Sequence, residues 1–356
     1  ALDTIVVTAA TPVARPIDAL GNHVSVLDGE SIRASGITRV EDALRTVSGV
    51  NLVRLGSYGA TTSIFMRGTE SDQVQVLIDG VPINQPGGAI DLGGIAIENI
   101  ERIEVARGPA SALAGSDAVG GVIQIVTRQG TEGFRGSAFG RLGTFGRQDA
   151  GLELTGGNQG ASYSLAATRY YTDGILAFNN AHDNTVLSGR FDLTPDVATT
   201  IRFTANLSSR EFNFPTDGSG NVIDRNAFTF QDRVTLGLLA ERQVTEAFGL
   251  RMLISSTDEE TGTDDEVDDP SDTSSFVSLS AFRRLGIDLR GNLAVGHAGT
   301  FTLGGELEEQ DIRDFNESVS SFGAFGGRNA NDRSNVAGYV HWTAAYDRLD
   351  LNAGVR

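Results

Sequence analysis

The sequence contains no cysteine and no lysine, and only four histidines, one tryptophan and eight prolines in 356 residues. Without cysteine there is no disulfide framework, no thiolate metal site and no cysteine nucleophile. His23, His182, His297 and His341 stand far apart, so no pair has metal-ligand spacing. Without lysine there is no phosphate-binding G-x-x-x-x-G-K loop, and Gly115-Ser116-Asp117 lacks the G-x-S-x-G form of a nucleophile elbow. No catalytic constellation is encoded, and the chain reads as a protein that is not an enzyme. A formal net charge of −18 argues against a nucleic-acid partner. Also missing is any run of 18 apolar residues, which excludes a transmembrane helix. A membrane-spanning β-barrel stays open, because its signal is alternation rather than bulk hydropathy. Ala1-Leu2-Asp3 carries neither a basic nor an apolar leader, so the expectation for an exported protein is a signal peptide already removed.

What is present is 40% hydrophobic residues, enough for a folded core, arranged in two patterns. Up to about residue 130, short helices and strands mix. Thr38-Arg39-Val40-Glu41 has the form of a capping box, and Val40, Ala43, Leu44 and Val47 recur at helical spacing before Ser48-Gly49. The runs Val74-Gln75-Val76-Leu77-Ile78 and Gly121-Val122-Ile123-Gln124-Ile125-Val126 are rich in β-branched residues and read as buried strands. A compact α+β domain at 11–130 is expected after a short segment at 1–10.

From about residue 134 the period becomes two, most plainly in Ile201-Arg202-Phe203-Thr204-Ala205-Asn206-Leu207-Ser208. The pattern returns in Tyr163/Leu165/Ala167, Val234/Leu236/Leu238, Leu250/Met252/Ile254, Phe301/Leu303/Leu307 and Val336/Val340/Trp342. Short links near 156–161, 194–199, 245–249, 296–299 and 346–350 alternate with long ones near 173–185, 211–229, 258–273 and 311–333. In an up-and-down sheet all the long connections then fall on one edge, as in an outer-membrane barrel. A soluble β-sandwich or lectin also alternates, and the loop asymmetry is what separates the readings. Residues 131–356, at about 20 residues per strand with its connection, make roughly 11 strands. A barrel wide enough to hold a plug belongs to the 22-stranded class. The expected fold is therefore an α+β plug domain followed by the first half of a transmembrane antiparallel β-barrel.

Several spaced motifs resemble those of TonB-dependent outer-membrane receptors. Asp3-Thr4-Ile5-Val6-Val7-Thr8 resembles a TonB box. Ile64-Phe65-Met66-Arg67-Gly68, Val76-Leu77-Ile78-Asp79-Gly80-Val81, Ile100-Glu101-Arg102-Ile103-Glu104-Val105-Ala106-Arg107-Gly108-Pro109 and Gly115-Ser116-Asp117-Ala118-Val119-Gly120-Gly121-Val122-Ile123 resemble plug motifs, in the same order. Within the family the likeness is nearest to the vitamin B12 (cobalamin) transporter branch, through the plug and through Val295-Gly296-His297 before a short turn. The resemblance implies a receptor in the outer membrane of a Gram-negative bacterium, its N-terminus periplasmic, that binds a scarce nutrient. Its partners are then TonB of the inner-membrane energising complex, outer-membrane lipid and a small-molecule ligand. Cobalamin or a related corrinoid is the first expectation and a ferric siderophore the second. From a different class, a surface β-rich adhesin stays open; it needs no N-terminal segment.

Particular residues carry these expectations. The extended, β-branched segment Asp3, Thr4, Ile5, Val6, Val7 and Thr8 suits addition of a strand to a partner's sheet. Plug loops at 55–62 and 81–92 match the apical substrate loops of the branch. There Gly56, Ser57, Tyr58 and Gly59, with Asn84, Gln85, Pro86 and Gly87, combine backbone freedom with an aromatic face and amide groups. Arg67, Arg102 and Arg107, with Glu101 and Glu104, form a charged set that suits ion pairs to wall acids such as Glu306 and Glu308. No cofactor is required by the sequence. Calcium is a candidate through Asp173, Asp183, Asp217 and Asp224, aspartates of two adjoining loops that match the branch's calcium-ligating positions. The segment from Asp217 fails as an EF-hand, since Val222 and Phe228 occupy its sixth and twelfth positions. Residues 258–272 hold nine acids and no base, the pattern of a solvated loop.

Overall fold

A computed structural model describes residues 6–7, 9, 15–16, 23–87, 90–108, 110–216, 220–267, 274–346 and 349–356. Of the N-terminal segment it therefore covers Val6–Val7, which forms strand β1 and pairs antiparallel with β2 (Arg15–Pro16). Asp3, Thr4, Ile5 and Thr8 lie outside the described residues.

Strand β3 (His23–Asp28) runs into helix α1 (Gly29–Ala34), whose start is fixed by the Asp28 carboxylate accepting the Ser31 N–H at 2.7 Å. Helix α2 (Val40–Leu44) forms where the apolar spacing predicts it, but the capping box does not: Arg39 is the N-cap and gives no side-chain cap. Glu41 instead turns to the buried guanidinium of Arg39 at 3.2 Å and to Arg54. Strands β4 (Val50–Arg54) and β5 (Thr62–Met66) make a hairpin. The main sheet has the order β3-β8-β9-β6-β7. Its other strands are β6 (Val74–Ile78), β7 (Val81–Pro82), β8 (Ile100–Arg107) and β9 (Gly121–Thr127), with helix α3 (Ser111–Ala114) before β9. The two apolar runs noted in the sequence are β6 and β9, and they pair in parallel. A parallel pair is covered on both faces, which is why these runs are apolar without alternation. Ile78, Ile103, Val105, Ile123 and Ile125 form a core with Val40, Leu44, Ile64 and Leu92.

Eleven strands follow, each pairing antiparallel with the next in chain order. They are β10 (Gly133–Leu142), β11 (Gln148–Gly157), β12 (Ala161–Thr172) and β13 (His182–Asp196). Next come β14 (Thr199–Asn213), β15 (Phe228–Gln243), β16 (Phe248–Asp265) and β17 (Ser275–Ala294). The last are β18 (Thr300–Ser320), β19 (Gly323–Tyr346) and β20 (Leu349–Val355). Alternation has the expected meaning: Val234, Leu236 and Leu238 are exposed on the outer face of β15, while Arg233 and Thr235 are buried against the plug. Among the described residues no helix is long and apolar enough to cross a membrane.

The loop asymmetry is present but smaller than expected. Residues 258–265 are not loop but the end of β16, and residues 311–333 are a hairpin of β18 and β19 that turns at 321–322. Strands grow from 10 residues in β10 to 24 in β19. A tilted membrane crossing takes about 9–11 residues. The ends of these long strands are polar on both faces, so their sequence imitates a loop.

Candidate ligand site between plug and wall

The loop joining β4 to β5 presents Leu55 and Gly56 outward and ties its other residues to the wall. The Tyr58 ring lies 3.7 Å from the Arg39 guanidinium carbon, with Arg147 and Arg54 at 5.6 and 6.0 Å and the His182 ring edge-on at 5.7 Å. Asn180 donates to the Ser57 hydroxyl at 2.8 Å, and Arg210 donates to the Gly59 carbonyl at 3.0 Å. Gly59 has φ +100°, and a Cβ there would meet the His182 ring at 2.4 Å. Three arginines facing one ring account for the aromatic residue that the sequence offered as a ligand surface. Of this loop, its tip faces the open side of the sheet.

The second loop is similarly divided. Asn84 is wholly buried, its amide spanning the Val76 N–H at 2.7 Å and the Val74 carbonyl at 2.8 Å, so it extends the edge of β6 rather than facing a ligand. Gln85 donates to Glu259 of the wall at 2.5 Å, Pro86 is half-buried, and Gly87 is exposed with φ +92°.

Plug and wall meet through a seam whose polarity reverses the expected one. Arg102 stays within the plug, on Glu101 at 2.5 Å and Glu104 at 2.9 Å; Arg107 donates to Ser25, and Arg67 forms no ion pair among the described residues. Glu306 and Glu308 pair instead with Arg356 at 2.8 Å and Arg284 at 3.2 Å. Arg128, directly after β9, does pair with Glu153 of β11 at 2.9 Å, but most of the cations at the seam come from the wall. Arg210 pairs with Asp91, Arg284 reaches the Asn84 carbonyl at 3.0 Å, and Arg190 reaches the Thr127 carbonyl at 2.7 Å while holding Asp192 at 2.6 Å. The Tyr170 hydroxyl donates to Glu98, whose carboxyl burial pushes up from its ordinary value. Asp79, between the Thr127 N–H at 3.0 Å and hydroxyl at 2.7 Å, is also pushed up by burial. Sequence reasoning missed Arg190, Arg210, Arg233 and Arg284. The signal available was their place on the inward side of the alternation, next to outward apolar residues such as Phe191, Val234 and Leu285.

The candidate calcium ligands do not converge. Asp183 faces Arg169 at 2.5 Å, Asp173 accepts the Tyr171 hydroxyl at 2.8 Å, and Asp224 caps its own turn by accepting the Asn226 and Ala227 N–H groups at 3.0 and 2.7 Å. Asp217 lies outside the described residues, and among the described residues no three His, Cys, Asp or Glu side chains form a metal cluster. Asp173, Asp183 and Asp224 are thus each engaged by a protein donor.

Between the plug and the inner face of β15 to β19 lies a cavity of about 420 Å³, floored by Thr61 and Arg210. A second, of about 650 Å³, lies against Asp79 and Gly80 on the opposite side of the plug sheet, where Arg202, Arg251 and Arg290 line it.

Residues 16–122 match the family described as TonB-dependent Receptor Plug Domain. The fold is similar to that of the ferric yersiniabactin uptake receptor of Yersinia pestis, at TM-score 0.63 and 16% identity over 92% of this chain and 63% of that one. It is similar to a copper transporter, OprC, at TM-score 0.75 and 18% identity over 93% and 54%. FpvA of P. aeruginosa, bound to a pyoverdine and iron, matches at TM-score 0.75 and 13% identity over 98% and 53%. The chain thus spans between about half and just under two thirds of the length of these structures. Residues 16–122 thus match a TonB-dependent receptor plug domain, and the eleven-stranded antiparallel sheet that follows shares the fold of these large-barrel structures.

Proposed function

We propose that this chain is the plug and adjoining wall of an outer-membrane receptor that binds a metal chelate, of the ferric-siderophore kind, outside the cell and admits it when TonB pulls on residues 3–8. The supporting observation is the pairing of two surfaces: an outer face with exposed Leu, Val, Ile and Phe alternating along the central stretches of the wall strands, and an inner face whose arginines grip plug carbonyls and Asp91. The first suits lipid; the second suits a plug that is held by discrete polar contacts rather than by a continuous apolar core, and so can be remodelled by force. In this reading the energy enters through the periplasmic partner.

Iron or another metal in a chelate is favoured over cobalamin because the similar structures are described by iron chelates and copper. The cobalamin expectation rested on the two plug loops, and most of their side chains are committed to the wall or to β6. The test is uptake of radiolabelled iron chelates by cells whose own chelate receptors are deleted and which express the complete receptor. Uptake that needs TonB and is lost on deletion of residues 2–8, with surface binding retained, supports the proposal. Uptake indifferent to that deletion returns the adhesin or passive-pore readings.

A further inference from the structure

The cavity above the plug has an inner wall of unusual uniformity. Register aligns Thr229 of β15 with Thr263 of β16, Ser278 of β17 and Asn316 of β18 in one row. The row beneath it aligns Thr261 with Ser280, Asp314 and Asn329. All eight line the cavity. They are neutral hydroxyls and amides with a single carboxylate, and they include no cation. Ser280 donates to Asp314 at 2.7 Å and Thr261 to the Phe230 carbonyl at 2.9 Å, but the side chains of Thr229, Thr263, Asn316 and Asn329 have no hydrogen-bond partner among the described residues. Phe276 adds an apolar edge.

The inward-facing cations nearest this band are already paired, and Arg328 beside it lies over the Phe315 ring at 5.1 Å. Arg210 at the cavity floor pairs with Asp91 and the Gly59 carbonyl, Arg233 with Glu259, and Arg284 with Glu308 and the Asn84 carbonyl.

From this we infer that the wall of β15 to β18 is a recognition surface for an uncharged, oxygen-rich metal chelate, of the tris-hydroxamate type, and selects against a polyanionic tris-catecholate. The inference rests on the receptor reading above and narrows its substrate. A polyanion entering the cavity exchanges water for a wall that offers a carboxylate and no unpaired inward-facing guanidinium, so its desolvation goes uncompensated. An uncharged chelate presents carbonyl and amide groups, to which open Thr hydroxyls and Asn amides both donate and accept, and each such bond forms without desolvating a charge. A cavity of about 420 Å³ on this part of the wall accommodates one face of such a ligand.

The test is equilibrium binding to the complete receptor in detergent of two probes, a ferric tris-hydroxamate and a ferric tris-catecholate. Expected is tighter binding of the hydroxamate by at least about a hundredfold, with the Ser278→Ala and Asn316→Ala changes each weakening it about three- to tenfold and Asn316→Gln restoring part of the loss. Asn316→Arg should narrow the gap by improving catecholate binding. Equal or tighter binding of the catecholate, or affinity unmoved by both alanine changes, overturns the inference. If the catecholate binds and its uptake still needs TonB and residues 2–8, only the substrate class falls. If neither chelate binds and no TonB-dependent iron uptake occurs, the receptor reading falls with it.

Discussion

The buried carboxylate of Glu104 accepts the backbone N–H of Ala9 at 2.8 Å, across 95 residues of sequence. The same carboxylate takes the Arg102 Nε at 2.9 Å, and Ala9 packs on Ala106, Ala118 and Val122. A charge-assisted bond of this kind is worth about 1.5–3 kcal/mol. It ties the segment that contains Val6–Val7 to the plug, and a partner that adds a strand there must break it. Glu104→Ala is expected to raise the mobility of a spin label at position 7 while leaving the β8–β9 pairing intact. An unchanged label spectrum would mean that the bond does not hold the segment.

Asp79 gives the plug a pH dependence. Burial raises its pKa above the ordinary 3.8, against the pull of the two Thr127 bonds and of Arg190. The folded plug then binds this proton more tightly than the unfolded chain does. Stability from this group is fully present below 3.8, and it is lost as pH rises through the raised value. Asp79→Asn keeps a residue that tolerates φ +49°, and it should flatten that part of the profile of chemical unfolding against pH. A wild-type profile without the slope contradicts the assignment.

The legible parts of the fold are those in which a solvent imposes a period. Val234, Leu236 and Leu238 reveal β15 because outer-face and plug-side positions differ in polarity, and β6 and β9 announce themselves as apolar because both their faces are covered. Residues 311–333 were illegible because their strands are polar on both faces and carry no such period. At the site, Tyr58 and Asn84 have the composition of ligand groups, yet Arg39 and the Val74 and Val76 backbone take them up. That competition is settled by tertiary neighbours distant in sequence. Arg210, 151 residues from Gly59, is one of them.

Tyr58 separates its ring from its hydroxyl. The ring faces Arg39, Arg54 and Arg147, whereas the buried hydroxyl has no partner among the described residues. Tyr58→Phe should therefore match or exceed wild-type stability, since an unpaired buried hydroxyl costs about 1–3 kcal/mol. Tyr58→Leu, which removes the cation–π contacts, should lose about 1–3 kcal/mol. Thermal melting of the two variants in the same detergent distinguishes the roles. A loss in the Phe variant equal to that in the Leu variant would assign the energy to the hydroxyl.

Gly59 and Gly36 share a left-handed backbone but not a neighbourhood. A Cβ at Gly36 meets nothing within 4 Å, whereas at Gly59 it collides with the His182 ring at 2.4 Å. Gly36→Ala should cost only the backbone strain of about 1 kcal/mol. Gly59→Ala should additionally displace His182, whose Nδ1 lies 3.1 Å from the Glu211 carbonyl, and so loosen the loop from β13. Amide exchange at residues 56–61 reports this directly, and equal protection in the two variants would refute it.

The outer face offers the sharpest test of the membrane reading, because it separates a lipid-facing surface from a water-facing one. Leu236 sits at the middle of β15, on the exposed side between Val234 and Leu238, and Leu207, Leu250 and Ile254 on the adjoining strands are exposed on the same face. If this face contacts lipid, Leu236→Arg places a charge near the bilayer midplane and costs about 2–4 kcal/mol. If it contacts water, as in an adhesin, the same change is worth less than about 0.5 kcal/mol and improves solubility. Val244, in the short turn after β15, is the internal control: it is exposed but lies at the edge of the sheet, so Val244→Arg should cost about 1 kcal/mol or less under either reading. Folding free energies of the complete receptor in phospholipid vesicles, measured for both variants, give the depth dependence. A large penalty at Leu236 with a small one at Val244 requires a bilayer; equal small penalties exclude one.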